Sequence, residues 1–386
     1  MHQTTHQVMF EPATAISQLT DASVDLVVTS PPYPMIAMWD ACFTDLDPAI
    51  NSLLKREQGL PAFHRMHDQL KAVWTQMVRV MKPGAFACIN IGDAARTLDK
   101  TFTLYPNHAR IITDLLDLKL TPLPAILWRK PTNAPNKFMG SGMLPAGAYI
   151  TLEHEYILIF RKGDKRVFAT PAEKIQRRQS AIFWEERNTW FSDVWFGLIG
   201  TRQKLGDKEA RKRSGAFPFE LAYRLINMFS VYGDTVLDPF LGTGTTSAAA
   251  IATGRSSIGM EIDPNLKSAI REALTLAPDT ALDRLTQRIY EHTAFIAERI
   301  QAGKSFKHQN AVYQIPVMTA QEKELTLYAP APVPKHLFPG PFRVTLDPLD
   351  PDSFAGRPLP PPVSDEPSPG AKNTPDETRP EQLSLF

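Results

Sequence analysis

The 386-residue chain reads as an α/β protein built on a doubly wound, mostly parallel sheet. Three observations predict this. Short β-branched runs such as "VDLVVTS" alternate with segments of helical period. A glycine-rich turn joins a strand to a helix in "VLDPFLGTGTTSAAA", and a second apolar run, "SSIGMEID", ends on acids. Strands that alternate with helices pair in parallel and carry the helices on their faces.

The elements follow in order. Residues 24–30, "VDLVVTS", form a strand whose continuous apolar character suits burial on both faces. Met66, Leu70, Val73, Met77 and Val80 recur at helical spacing, and "KPG" ends that helix. A strand at "AFACINIGD", a helix at "NHARIITDLLDL" and a strand at "PLPAILWRK" complete a first half, residues 1–130. Residues 131–213 break the rhythm with Pro, Gly, Asn, basic and aromatic residues, leaving one strand at "EYILIFRKG". Alternation resumes over residues 214–328: helix "FPFELAYRLINMFS", strand "DTVLDPF", helix "TTSAAAIATG" and strand "SSIGMEID". A helix at "ALDRLTQRIYEHTAFIAERIQ" and a hairpin of "NAVYQIPVMT" with "KELTLYA" close this half. Fifteen of the 34 prolines lie from Pro330 onward among Ser, Asp and Glu, so residues 329–386 are expected to be a disordered tail.

Composition narrows the function classes. No basic-then-apolar leader opens the chain and no apolar run reaches membrane-spanning length. Cys42 and Cys88 make no metal-ligand pattern, and the nine histidines include no helix-spaced pair, so a cytoplasmic protein without metal is expected. The net charge of +1 conceals an asymmetry. Arg161–Arg213 holds fourteen basic residues against seven acidic, the footprint of a polyanion partner, while Val344–Phe386 holds three against eight. Trp184, Trp190 and Trp195 in the same region are expected to be core residues rather than platforms for bases.

The glycine loop defines a ligand class. Gly242 and Gly244 let backbone amides approach a ligand at a helix N-terminus. Glu261 stands nineteen residues after Gly242, near the spacing at which an acid meets ribose hydroxyls in dinucleotide folds. Ser247 at the third-glycine position argues against a nicotinamide cofactor, and no lysine makes the loop a phosphate-binding one. What remains is a nucleoside-type cofactor, with Asp238 placed to hold an ammonium group.

The strand ending Ser30-Pro31-Pro32-Tyr33 defines a second ligand. Residues before proline are extended, so Ser30 and Pro31 both continue the strand. Prolines donate no N–H, which leaves the Ser30 and Pro31 carbonyls as acceptors with little backbone competition. The Ser30 side chain, the Pro31 carbonyl and the Tyr33 ring can together hold a planar ring that bears an amino group.

"TSPPY", "DPFLGTGTT" and "GMEID" together resemble the amino-group DNA methyltransferases that use S-adenosylmethionine. The motif order, with the Pro-Pro-Tyr strand first, a basic insertion second and the glycine loop third, resembles the permuted β group of that family. The resemblance runs from about Met9 to Asp263. It implies a cofactor site of Thr29, Phe219, Asp238, Pro239, Phe240, Gly242, Gly244, Thr245 and Glu261, and a catalytic set of Ser30, Pro31, Pro32 and Tyr33. Residues 1–130 would be the catalytic half, 131–213 the target recognition region and 214–328 the cofactor half. Where relatives carry "GD" against the cofactor adenine, this chain has "MFEPA", with Glu11 in its place.

The resemblance also implies a mechanism. A nucleobase amine is a poor nucleophile because its lone pair is delocalised into the ring. Hydrogen bonds from the amine to Ser30 and the Pro31 carbonyl favour a tetrahedral nitrogen, and alignment with the methyl donor can supply roughly 7–11 kcal/mol at its upper end. Tyr33 would stack on a base flipped out of the duplex. Serine at the first motif position resembles the cytosine-N4 enzymes, whereas adenine-N6 enzymes carry Asp or Asn there, so cytosine N4 is the expected target and adenine N6 on the same fold the alternative. Double-stranded DNA is the implied partner, with Arg202, Lys204, Lys208, Arg211, Lys212 and Arg213 available to phosphates.

Two other classes stay open at this point: a methylase of RNA or protein amides, and a non-catalytic DNA-binding protein. Finally, Gln382, Leu383, Leu385 and Phe386 in the terminal "QLSLF" resemble the peptide by which bacterial repair and replication proteins dock on the sliding clamp.

Overall fold

The computed structural model describes residues 2–130, 139–198 and 217–350. Ten strands form one sheet: β1 (His2–Met9), β2 (Val24–Thr29), β3 (Met81–Ile91), β4 (Leu120–Arg129), β5 (His154–Lys162), β6 (Val194–Trp195), β7 (Thr235–Asp238), β8 (Ser256–Met260), β9 (Tyr328–Pro330) and β10 (Phe342–Pro348). Their spatial order is β6-β4-β5-β3-β2-β7-β8-β1-β10-β9. The centre, β3-β2-β7-β8-β1, is parallel throughout, and antiparallel strands flank it on both sides. All six residues of β2 are buried. Val24 and Val27 join the core on one face while Leu26 and Val28 join that on the other. Helices cover both faces, so the continuous apolar run is the one a parallel central strand requires.

The helices among the described residues are α1 (Asp40–Leu46), α2 (Pro48–Lys55), α3 (Gly59–Val80), α4 (Asn107–Asp117), α5 (Pro171–Gln179), α6 (Trp184–Trp190), α7 (Phe219–Phe229), α8 (Thr245–Ala252) and α9 (Lys267–Gln301), with short 3-10 turns between them. On α3 the periodic residues Met66, Leu70, Val73, Met77 and Val80 are all buried against one face of the sheet. Helix α7 lies on the other face, where Trp190 and Trp195 are buried core residues. Trp184 departs from the expectation: it is half-buried, stacked on Phe295 at 5.7 Å with Arg299 over its ring.

The inserted region contributes strands to the main sheet: β5 lies between β3 and β4, and β6 extends it beyond β4. Three further expectations change. Helix α9 begins at Lys267, fourteen residues before the expected start, and runs through Pro278. Proline inside a helix costs about 3 kcal/mol, but Ile270, Leu274, Ala277, Ala281 and Leu285 form one buried stripe across it. The hairpin of 310–319 with 323–329 does not form. Instead Asn310 donates to Glu322 O and Leu325 O and accepts from the amides of Val312 and Tyr313, winding this stretch into a compact loop. Last, residues 329–350 do not belong to a tail: β10 pairs with β1 and β9, and Phe342, Val344, Leu346 and Leu349 are buried. The rest of the expected tail lies outside the described residues.

Because β10 is a core strand, Leu346→Ala should lower the unfolding free energy by about 2–5 kcal/mol, as buried leucine truncations do. The partly exposed Thr345→Ala should stay within about 0.5 kcal/mol. Denaturant unfolding followed by circular dichroism checks both, and equal effects would contradict the assignment.

Candidate active site

The parallel centre of the sheet brings the C-terminal ends of β2, β3, β7, β8 and β1 to one edge. Register places Thr29 beside Ile89, Asp238 beside Gly259, and Met9 beside Met260. Ligands of open α/β sheets bind at this edge. Both sequence motifs end there.

Asp238 is the junction. It is 2% exposed. Its Oδ1 accepts from Thr29 Oγ1 at 2.6 Å and from the Phe240 amide at 3.0 Å, and its Oδ2 accepts from Thr246 Oγ1 at 2.6 Å. The Thr246 hydroxyl also lies 3.3 Å from Val28 O. Thus the carboxylate expected to hold a ligand also bonds the Pro-Pro-Tyr strand to the glycine loop. Burial raises its pKa to about 6 against the pull of these donors.

The loop itself is shaped for a ligand. Gly242 and Gly244 have φ of +57° and +90°, a region strained for any side chain. A Cβ at Gly242 would meet nothing closer than the Phe240 carbonyl at 4.0 Å, so the loop leaves open space there. Gly244 caps α8, which starts at Thr245, so free amides of the helix start face this edge. Glu261, directly after β8, accepts from the Gly242 amide at 2.7 Å and from the Asp263 amide at 2.8 Å. Burial pushes its pKa up to about 7. An adenosine-bearing cofactor fits this donor set: amides at a helix start, two buried carboxylates and a glycine cradle. Phe219 packs against the core cluster that includes Leu241 and Ala248, and Phe240 meets Trp74 edge-on at 5.8 Å, with Pro239 between Asp238 and Phe240 in the same turn. Glu11 follows β1 at this edge, its carboxylate bound by Gln18 at 2.7 Å.

The Ser-Pro-Pro-Tyr turn is held from several sides. Ser30 Oγ lies 3.2 Å from the Tyr33 hydroxyl, which donates to Glu155 Oε2 at 2.8 Å. Asn90 Nδ2 donates to both, at 2.8 Å to Tyr33 and 2.7 Å to Glu155. Lys130 pairs with the other oxygen of Glu155 at 2.7 Å. Burial and the Glu155 charge hold the Tyr33 phenol well above its ordinary pKa. After Tyr33 the chain turns through Met35 at φ +67°, buried, with Asn107 Nδ2 bonded to Pro34 O and Gly92 O. A side chain at Gly92 would press on the Tyr33 ring at 3.1 Å and on Glu155 at 3.3 Å. Trp39 packs against the core, and Asp40 forms a two-pronged ion pair with Arg96.

The structure therefore brings together Thr29, Ser30, Pro31, Pro32 and Tyr33 with Asp238, Pro239, Phe240, Gly242, Gly244, Thr245 and Glu261 along one edge. Arg202, Lys204, Lys208, Arg211, Lys212 and Arg213, and the terminal Gln382, Leu383, Leu385 and Phe386, lie outside the described residues. Sequence reasoning missed Thr246, Asn90, Lys130 and Glu155. A buried asparagine inside "ACINIG" and a glutamate opening the apolar strand "EYILIF" were the available signals.

Comparison with known proteins decides the family. A family model described as DNA methylase, of the N6/N4 class, matches residues 24–272, well over half of the chain.

The chain belongs to the N6/N4 DNA methylases.

Among similar relatives, the Type II methyltransferase M.MthZI of Methanothermobacter thermautotrophicus is 50% identical over 329 residues, 85% of this chain and 91% of that protein. M.MjaI of Methanocaldococcus jannaschii, also a Type II methyltransferase, is 47% identical over 282 residues, 70% of this chain and 91% of that one. Among solved structures, TTHA0409 of Thermus thermophilus, a DNA modification methylase by description, was crystallised with S-adenosyl-L-methionine. It matches with a TM-score of 0.55 and 31% identity over 70% of this chain and 95% of that one. This DNA methylase is thus an enzyme whose methyl donor is S-adenosylmethionine. Among the described residues no helix is long and apolar enough to cross a membrane, and no cluster of His, Cys, Asp and Glu could hold a metal.

The raised carboxylates make the cofactor-free methylase pH-sensitive. Glu261 has a folded pKa of about 7 against an ordinary 4.5, so the folded chain binds more protons across that window. Its contribution to stability is therefore largest below about 4.5 and is lost as pH rises through 7. Melting temperatures measured between pH 5 and 8 should fall more steeply for the wild type than for Glu261→Gln. Parallel curves would contradict the assignment.

Proposed function

We propose that this methylase transfers the methyl group to the exocyclic N4 amine of a cytosine flipped out of a specific site in duplex DNA. The observation that carries the reading is the state of Ser30. The Tyr33 hydroxyl gives its one hydrogen to Glu155, so at the 3.2 Å contact Ser30 is the donor. Toward the pocket Ser30 then offers only lone pairs. That suits an amine N–H and not a carbonyl. The Pro31 carbonyl supplies a second acceptor, and positioned acceptors stabilise positive charge arriving on nitrogen. The Tyr33 ring, fixed in its plane by Glu155 and Asn90, is the stacking face for the extruded base. Ser30, in place of the Asp or Asn of adenine-N6 enzymes, supports cytosine over adenine.

S-adenosylmethionine supplies an electrophilic methyl group when bound. Asp238, Gly242, Gly244, Thr245 and Glu261, with Thr29, Pro239, Phe240 and Phe219 around them, are the residues that would hold it. In the same reading Arg202, Lys204, Lys208, Arg211, Lys212 and Arg213 neutralise phosphates, and Gln382, Leu383, Leu385 and Phe386 dock on a sliding clamp. The names of the relatives support a place in a restriction-modification pair.

Incubating the enzyme with labelled S-adenosylmethionine and mixed-sequence duplex DNA, then separating the nucleosides by mass, should yield N4-methylcytosine. N6-methyladenine would overturn the base assignment, and no labelled DNA would overturn the reading as a whole. Ser30→Ala should cut the turnover rate by roughly 10²–10³, with cofactor affinity changed little. In a pull-down, deletion of Gln382–Phe386 should abolish clamp capture while methylation of short duplexes persists; retained capture would remove the clamp from the reading.

A further inference from the structure

The bonds around Tyr33 have a direction. Glu155 is tied to Lys130 and, when ionised, can only accept hydrogen bonds. Asn90 must therefore turn its NH2 toward Glu155 and Tyr33, as it does, which leaves its Oδ1 buried without a protein partner. Tyr33, receiving a hydrogen from Asn90, gives its own to Glu155, and Ser30 gives its own to Tyr33. Every donor in the series Ser30, Tyr33, Glu155 points the same way, from the pocket outward. The series ends on a carboxylate that is 12% exposed, bridged to a Lys130 that is 51% exposed. Such an ending lies within reach of bulk water.

We infer that Ser30, Tyr33 and Glu155 form a proton relay that carries the surplus proton of the methylated amine out of the active site. This inference rests on the functional reading above. When the N–CH3 bond forms and the sulfonium–CH3 bond breaks, the donor leaves as a neutral thioether and the nitrogen holds one proton too many. That proton passes to Ser30 Oγ as the Ser30 hydroxyl proton passes to Tyr33 Oη. The Tyr33 proton in turn passes to Glu155 Oε2. The products are a neutral methylamine on the base, neutral Ser30 and Tyr33, and a protonated Glu155 that returns its proton to water. Tyr33 serves as a neutral bridge, accepting as it gives, which suits a phenol whose ionisation is strongly disfavoured. Asn90 acts as a positioning residue, because its amide fixes which way the Tyr33 hydroxyl points. Lys130 stabilises the carboxylate that begins each cycle.

The test uses the full-length enzyme with S-adenosylmethionine and duplex DNA in single-turnover experiments. Tyr33→Phe keeps the stacking ring and Glu155→Gln keeps an acceptor oxygen, yet each breaks the relay. Each should slow methyl transfer by about 10²-fold, the low end for general acid–base contributions, while dissociation constants for cofactor and DNA stay within about threefold. Glu155→Ala should regain rate when formate, acetate or chloroacetate is added, more with the more basic carboxylate. Filling of a hole would not produce that order. Infrared difference spectra during one wild-type turnover should show a transient protonated carboxyl band that Glu155→Gln lacks. Rates within threefold of wild type in both relay variants, rescue insensitive to basicity, or absence of the carboxyl band would each overturn the relay. A wild-type chain that methylates no DNA would overturn the functional reading beneath it instead.

Discussion

One buried carboxylate holds this active site together. Asp238 accepts from Thr29 on the Pro-Pro-Tyr strand and from Phe240 and Thr246 on the glycine loop, across 209 residues of sequence in the first case. Without that junction the strands would still pair and Thr246 would still meet Val28 O, but three of the bonds that fix the loop against the strand end would be lost. Methyl transfer needs a donor and an acceptor aligned to within a fraction of an ångström, and alignment can supply roughly 7–11 kcal/mol at its upper end. The cost is visible in the same group, since burial raises its pKa to about 6. In the proposed function, a cofactor that brings positive charge or hydrogen-bond donors would offset that cost, so the group that joins the two motifs would also favour the loaded enzyme.

The sequence made the edge of the sheet legible but not its support. Val24–Thr29, Asp238, Gly242, Gly244 and Glu261 carry local signals: a β-branched run, glycines where φ must be positive, an acid at a strand end. Those signals come from backbone geometry, which short windows encode. Glu155 and Asn90 carry almost none, because their partner Tyr33 is 122 and 57 residues away. The same limit explains the tail. Proline content from Pro330 onward reads as disorder, yet β10 is stabilised by a strand at the opposite end of the chain, a pairing composition cannot reveal. Pro278 misled in the other direction, since its local penalty is outweighed by the buried stripe of α9.

The place of β5 also changes how the basic region is understood. Its segments leave from β4 and return through β5 and β6, all three inside the main sheet. Glu155 and Lys130, which brace Tyr33, sit at the roots of the segment between β4 and β5. The two ends of that segment are thereby tied to the Tyr33 hydroxyl through Glu155.

The pairing of β10 with β1 has a consequence for ancestry. His2 lies opposite Leu346, so the first strand and the last described strand are hydrogen-bonded neighbours. The contacts of such a sheet depend on which strands are neighbours and not on the order in which the chain supplies them. Having the Pro-Pro-Tyr strand precede the glycine loop is then one chain order among several that give the same contacts. What such a lineage must keep is the neighbourhood of Thr29 and Asp238, not the order in which the ribosome meets them.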